Sequence, residues 1–96
     1  MTNERTIERR PFDLGELVST PGALVEVHPE DSMAALHRHA GCDWGDCGAE
    51  DWAENDFAVD KYLRLFSVYH DRNGTKFWII TEADRSATTI LLPSEY

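Results

Sequence analysis

The sequence predicts an α+β fold in which two or three N-terminal helices pack on a three-stranded antiparallel β-meander. Helix-start signals and helically spaced apolar side chains occupy residues 20–63, whereas the last third of the chain consists of β-branched and aromatic runs separated by turn signals. With 96 residues, of which 42% are hydrophobic, the chain has enough apolar material for one small domain. We therefore expect residues 1–10 to form a flexible N-terminal arm and residues 11–96 to form a single α+β domain.

Three helices are predicted from their start signals. A Thr-Pro pair begins a short helix over 20–27, because Thr caps a helix and Pro fits its first position. Pro29 begins a second helix over 29–40, which Gly41 ends. A third helix follows over 49–63 at most, with Trp, Val and Leu side chains on one side and Glu side chains facing away.

The three predicted strands are the runs YLRLFSVYH, TKFWIITEA and ATTILLP, which form a sheet in the order 1-2-3. The Asn-Gly pair at 73–74 predicts a two-residue type I′ turn, because both central positions of that turn need a positive φ. This turn pairs Tyr69 with Trp78. A second two-residue turn would place Ile90 beside Ile79.

In this register the sheet has a core face and an apolar outer face, because side chains alternate along a strand. The helices are expected to cover the core face, which carries Phe66, Val68, Phe77, Ile79, Ile90 and Leu92. The outer face is too apolar to meet only water. Either the first helix or the N-terminal arm covers it, or it is a dimer or second interface formed by Tyr69, Trp78, Ile80 and Leu91.

Negative charge is concentrated in one segment. The chain carries 18 acidic and 9 basic side chains, a net charge of −9, and residues 11–60 contain 12 acidic side chains against Arg38 alone. Free nucleic acid should be repelled, because its binding needs a positive patch. The segment is either a solvated face or a surface that binds a basic nucleic-acid-binding protein. The predicted contacts of such a surface are Asp43, Trp44 as an aromatic anchor, Asp46, Glu50, Asp51 and Glu54.

Reactive side chains are densest between residues 37 and 47. Two His and two Cys suggest zinc, but the spacing H-x-H-x2-C-x4-C matches no common zinc motif, so no metal or cofactor is expected. No nucleotide-binding or common hydrolase motif is present, and no catalytic residue is assigned. The alternative from this cluster is a small metal- or thiol-dependent enzyme centred on His39, Cys42, Asp43 and Asp46.

The expected location is the cytoplasm, without contact to a membrane. No apolar run approaches the roughly 18–20 residues of a membrane helix, and no positively charged and then apolar leader begins the chain. Two cysteines are too few for a secreted disulfide scaffold.

Several stretches of the sequence resemble a family of small bacterial proteins that are commonly described as plasmid-related. The stretches are TPGAL at 20–24, Arg38-His39, DWGD at 43–46, Glu50-Asp51, Asn55, RLFSVY, and NGTKFWIITEADRSATTILLPSEY, so the resemblance covers roughly residues 12–96. This chain has Cys42 where the family usually has Gly before DWGD, and Cys47 has no counterpart there. The resemblance therefore implies no thiol or zinc role common to the family.

A plasmid-related origin implies an accessory role, and inhibition of a host defence system is the role that fits a small acidic protein of this kind. We therefore expect a non-enzymatic anti-CRISPR or anti-restriction protein that acts as a DNA mimic and binds a basic nucleic-acid-binding protein of the host. The alternatives are the enzyme described above and a homodimeric accessory protein.

Overall fold

Three helices pack against one face of a four-stranded sheet in the computed structural model, which describes residues 11–96. In chain order the elements are β1 (Glu16–Ser19), α1 (Pro21–Glu26), α2 (Pro29–Ala40), α3 (Ala49–Lys61), β2 (Leu65–His70), β3 (Lys76–Thr81), β4 (Ala87–Leu91) and a final 3₁₀ turn (Pro93–Glu95). The α+β class is confirmed. The predicted arm at 1–10 lies outside the described residues.

The helices begin where the sequence predicts, because their caps are encoded locally. The Thr20 hydroxyl accepts a hydrogen bond from the Ala23 N–H (3.3 Å), and a proline follows at the first position of α1. The imidazole of His28 caps α2 in the same way, accepting from the Glu30 N–H at 3.2 Å. None of the helices in the described part of the chain is long and apolar enough to cross a membrane.

The predicted antiparallel meander is present as β2, β3 and β4, but it is incomplete, because a fourth strand makes the sheet a mixed one. The strand order is β1-β4-β3-β2, and β1 runs parallel to β4 at the edge, with Leu17 beside Thr88. A four-residue strand is too short to display the two-residue alternation that reveals longer strands. Its partner is also the last strand of the chain, so no nearby turn signals the pairing.

The predicted register of the β2–β3 hairpin is wrong by one residue. Tyr69 pairs with Phe77 rather than with Trp78, and five residues, 71–75, lie between the two strands instead of two. The Asp71 carboxylate determines this turn, because it accepts hydrogen bonds from the Asn73 N–H (2.8 Å) and the Thr75 N–H (2.9 Å). Within the Asn-Gly pair only the glycine has a positive φ, of 85°, so the turn is not type I′.

The second hairpin has the predicted register. Ile79 pairs with Ile90, although the connection between Glu82 and Ala87 is wider than the two residues expected.

The register shift exchanges the two faces of β2. The helices cover the face that carries Leu65, Tyr69, Phe77 and Ile79, all of which are at most 2% exposed. The predicted core face is therefore right for β3 and wrong for β2, because a one-residue slip moves every side chain of a strand to the opposite face.

The predicted interface on the outer face does not exist as an exposed patch. Tyr69 lies on the helix-covered face, and Ile80 and Leu91 are only 4% and 6% exposed. Trp78 is half-buried, and the C-terminal Tyr96 packs against it with 5.6 Å between ring centroids. The outer face is thus largely covered by the chain itself.

Candidate protein-binding surface

The DWGD loop between α2 and α3 is held rigidly. The Asp43 carboxylate accepts two hydrogen bonds from the Arg38 guanidinium, at 2.9 and 3.2 Å, and a third from the Gly45 N–H. The hydrogen bond from Arg38 lowers the pKa of Asp43. The Asp43 carbonyl accepts from the Tyr69 hydroxyl at 2.7 Å. Asp43 therefore has a cation partner and a structural role in the loop.

Trp44, predicted as the exposed aromatic anchor, is fully buried, so that prediction is wrong. Its ring stacks on Phe12 and meets the His39 ring edge to face, with centroid distances of 6.2 and 5.4 Å. The indole N–H donates to the Asp56 carboxylate at 2.9 Å. A tryptophan of this kind is a core residue with one satisfied polar atom.

His39 is completely buried within a chain of hydrogen bonds whose direction can be derived. The Thr88 hydroxyl donates to the Leu14 carbonyl (2.7 Å), so the Thr81 hydroxyl must donate to Thr88 (2.7 Å). Thr81 then accepts from Nε2–H of His39 (2.8 Å), and Nδ1 accepts from the Ser67 hydroxyl. His39 is therefore neutral, with its proton on Nε2.

The environment of His39 disfavours its charged form. Burial and, to a smaller extent, the nearby positive charge of Arg85 lower the pKa of His39 to about 4. Both His39 and its neighbour Ser67 are 0% exposed. A serine–histidine pair without access for a substrate stabilises the core and has no route to nucleophilic catalysis.

The four residues of the alternative enzyme do not form one site. His39 bonds to side chains of the sheet, Asp43 to Arg38, and Asp46 to His70 at 2.7 Å. Within residues 11–96 there is no group of three His, Cys, Asp or Glu side chains that could hold a metal ion.

The two cysteines are free thiols that are partly buried. Burial raises the pKa of Cys42 and of Cys47, which keeps both protonated and weakly nucleophilic near neutral pH. Cys47 also donates a weak hydrogen bond to the Phe66 carbonyl, at 3.4 Å. These thiols behave as packing residues.

Asn55, an α3 residue to which no role was assigned from local patterns, closes the outer edge of β2. Its amide accepts from the Phe66 N–H (3.0 Å) and donates to the Phe66 carbonyl (2.7 Å), as the backbone of a neighbouring strand would. Beside it, Val68 bonds to the Trp44 carbonyl and the Asp46 N–H at 3.2 and 2.7 Å. These contacts fix α3 relative to the sheet.

The Arg85 side chain caps the C-terminal end of α3, a role that the sequence does not reveal. Its guanidinium donates to the carbonyls of Ala58 (3.0 Å), Val59 (3.1 Å) and Leu63 (2.7 Å). A cation at the C-terminus of a helix also interacts favourably with the helix dipole. The carbonyls at this end of α3 therefore gain partners, although Nε of Arg85 is buried without one.

The helix positioned in this way carries the most acidic surface of the domain. Five exposed carboxylates project from α3, those of Glu50, Asp51, Glu54, Asp56 and Asp60. Among residues 11–96 the ion pairs join Arg38 to Asp43, Arg64 to Glu82, His70 to Asp46, and Arg72 to Glu30 and Asp31. None of these pairs includes a carboxylate of α3. The predicted acidic surface is thus brought together on one helix, apart from Asp43 and Asp46.

A groove of about 720 Å³ runs between α3 and the start of β2. Glu50, Asp51 and Glu54 line it together with apolar side chains and with the basic side chain of Arg64. The exposed apolar members are Phe57 (61%) and Leu63 (48%). We name this surface the α3 groove.

The apolar side chains of the α3 groove are not the ones that the sequence predicts for the buried side of the third helix. Leu63 was expected on the buried side of the third helix, but α3 ends at Lys61 and Tyr62 adopts a left-handed conformation with φ of 53°. That change of direction takes Leu63 off the helix and into the groove. The sequence contains a signal for this surface that was not recognised: Phe57 is an aromatic residue among acidic residues and does not lie on the predicted buried side of the helix.

Comparison of the chain with protein-family models, with curated proteins and with solved structures found no match.

Proposed function

We propose that this chain is a small acidic, non-enzymatic binding protein of a mobile element. It binds a basic nucleic-acid-binding protein of the host in the cytoplasm and so inhibits a defence system of the CRISPR or restriction type. The observation that carries the proposal is the α3 groove, in which acidic side chains without an ion-pair partner among residues 11–96 surround exposed apolar side chains.

The charge density of α3 supports mimicry of nucleic acid. From Glu50 to Asp60 the helix rises about 15 Å and carries five carboxylates, or one charge per 3–4 Å of axis, roughly. A single DNA strand carries one charge per about 3.4 Å. A channel that is basic enough to hold a nucleic-acid strand would therefore meet a comparable linear charge along this helix, with Glu50, Asp51 and Glu54 inside the groove and Asp56 and Asp60 outside it.

The apolar residues of the groove support a protein partner over nucleic acid. Phe57 lies between the acidic side chains, and replaces Trp44 as the proposed aromatic anchor. An aromatic side chain that becomes buried on binding is typical of the residues that dominate protein–protein affinity. Asp43 and Asp46 are proposed as peripheral contacts, because each already has a cationic or imidazole partner.

The identity of the target class rests on the resemblance of the sequence to plasmid-related proteins. Defence nucleases must hold DNA in basic channels, which makes them fitting targets for an acidic inhibitor that is carried on a mobile element.

The test measures DNA cleavage by a purified Cas effector–guide RNA complex and by a purified restriction enzyme of the host, with and without the protein. Inhibition should weaken as salt rises. Replacing Glu50→Lys and Glu54→Lys together should raise the half-inhibitory concentration at least about tenfold, which corresponds to 1.4 kcal/mol.

The matched control reverses two exposed acidic residues far from the groove, Glu16→Lys and Glu26→Lys, and should leave inhibition within about twofold of the wild type. Failure to inhibit either enzyme would contradict the defence role. Inhibition that survives the Glu50 and Glu54 reversals would contradict the α3 groove as its site.

A further inference from the structure

The two edge strands of the sheet, β2 and β1, differ in whether their outward backbone groups are hydrogen-bonded. The outer edge of β2 is closed, because the Asn55 amide and the segment from Trp44 to Asp46 occupy its backbone groups. An edge closed in this way cannot pair with another strand.

Among residues 11–96, no backbone group pairs with the outer edge of β1. Glu16 and Thr20 donate their N–H groups to the carbonyls of Ser86 and Ile90, at 3.0 Å each, so the alternate residues Leu17 and Ser19 direct their N–H and C=O groups away from the sheet. Within residues 11–96 no strand lies beyond β1. The strand contains neither lysine nor proline, the residues that commonly protect an exposed edge.

The surroundings of the β1 edge are apolar. Leu17 (54% exposed) and Met33 (54% exposed) line a cavity of about 280 Å³ between β1 and α2. On the other face of the strand Val18 is 40% exposed, and Leu24 of α1, which lines a cavity with Ser19 on the helix-covered face, is 68% exposed. A strand added at this edge could therefore form backbone hydrogen bonds with β1 and pack against apolar side chains of α2.

We propose that the β1 edge joins two copies of this chain into a homodimer with one continuous eight-stranded sheet. The two β1 strands run antiparallel around a two-fold axis at Val18, so that Val18 meets Val18 of the second copy. Leu17 and Ser19 then form hydrogen-bonded pairs with Ser19 and Leu17 of the second copy, which uses every open backbone group of the strand.

The distribution of charge permits a second copy as the occupant. In this register Glu16 lies opposite Thr20 of the second copy, so no two like charges face each other across the axis. The acidic α3 packs on β2 at the opposite edge of the sheet. The most negative surfaces of two copies are thus kept at the far ends of the dimer, and both α3 grooves stay accessible.

The test measures mass by sedimentation velocity over a wide range of concentration, with the wild type expected to dimerise. Val18→Glu places two carboxylates directly opposite each other on the axis and should weaken dimerisation at least about tenfold. Val18→Lys should do the same. A mixture of the two variants should restore the dimer, because opposite charges then meet at the axis.

Phe57→Glu is the matched control, since it makes the same chemical change at an exposed site of the other sheet edge and should leave the mass unchanged. Circular dichroism verifies that each variant is folded. Amide exchange gives a second readout: the N–H groups of Leu17 and Ser19 should become protected as the concentration rises, whereas that of Val18 is protected throughout.

The proposal would be overturned by a wild type that stays monomeric, by a Val18→Glu variant that dimerises normally, or by mixed variants that fail to associate. The dependence on salt concentration distinguishes dimerisation from the binding of a basic partner. Dimerisation of two negatively charged copies should strengthen with salt, whereas binding of a basic partner should weaken.

Discussion

Acidification is expected to destabilise the domain through His39 before the carboxylates protonate. The imidazole is neutral in the folded state, where it accepts from Ser67 and donates to Thr81. Its pKa is about 4 in the fold against an ordinary value of 6.5. Between these two values the unfolded chain binds a proton that the folded chain does not, so stability falls as the pH falls.

The magnitude follows from the two pKa values. Stability should be unaffected above pH 6.5 and should decrease by about 1.4 kcal/mol per pH unit towards pH 4. Going from about pH 7.5 to about pH 5 should therefore remove about 2 kcal/mol, which is a substantial part of the stability of a small domain.

The assay is urea unfolding followed by the fluorescence of the three tryptophans, in wild type and in a His39→Gln variant. The glutamine amide retains one donor and one acceptor but does not titrate, and it should cost about 1–3 kcal/mol at neutral pH. The difference in free energy of unfolding between the two proteins should shrink by about 2 kcal/mol on acidification. If that difference is constant from pH 7.5 to pH 5, His39 is not the titrating group and the reasoning is refuted.

Three further outcomes can be checked by the same unfolding measurement. Asn55→Ala should cost about 2–4 kcal/mol, because two backbone groups at the β2 edge lose their partner; a cost below about 0.5 kcal/mol would mean that water replaces the amide freely. Arg85→Met should cost about 2–3 kcal/mol through the freed carbonyls at the end of α3, and a neutral effect would contradict its capping role. Gly45→Ala should destabilise by more than about 2 kcal/mol, since a Cβ there would lie 2.0 Å from a backbone oxygen at a φ of 73°, whereas Gly48→Ala, with open space around it, should cost at most about 1 kcal/mol, through the weaker N-cap of α3; equal effects would refute the steric argument.

The helices could be predicted from the sequence because their signals are local. Thr20 and the prolines at 21 and 29 encode caps within a few residues, and these caps form as expected. β1 could not be predicted because its pairing joins distant parts of the chain, and the β2–β3 register could not be predicted because a side chain, not the Asn-Gly pair, organises the turn. Leu17 pairs with Thr88, and the carboxylate of Asp71 organises a turn for which the Asn-Gly pair alone predicts a different type.

The candidate surface could be predicted in part. Charge counting placed the acidic residues on the third helix, because helix-start signals and composition are both readable in the sequence. It could not tell the exposed Phe57 from the buried Trp44, since both aromatic residues stand among acidic neighbours. His39, Asn55 and Arg85 are buried, whereas Glu50 and Asp51 are exposed.

The hydrogen bonds of His39 have a consequence for the order of folding. Ser67 and Thr81 lie on the same face of the sheet only in the observed register, and a slip to the register favoured by the Asn-Gly turn would put them on opposite faces. The turn residue Asp71 is therefore not the only determinant of the β2–β3 pairing, because His39, which also distinguishes the two registers, is on α2. We expect an isolated hairpin peptide to exchange between both registers, and the complete chain to commit to one only when α2 docks.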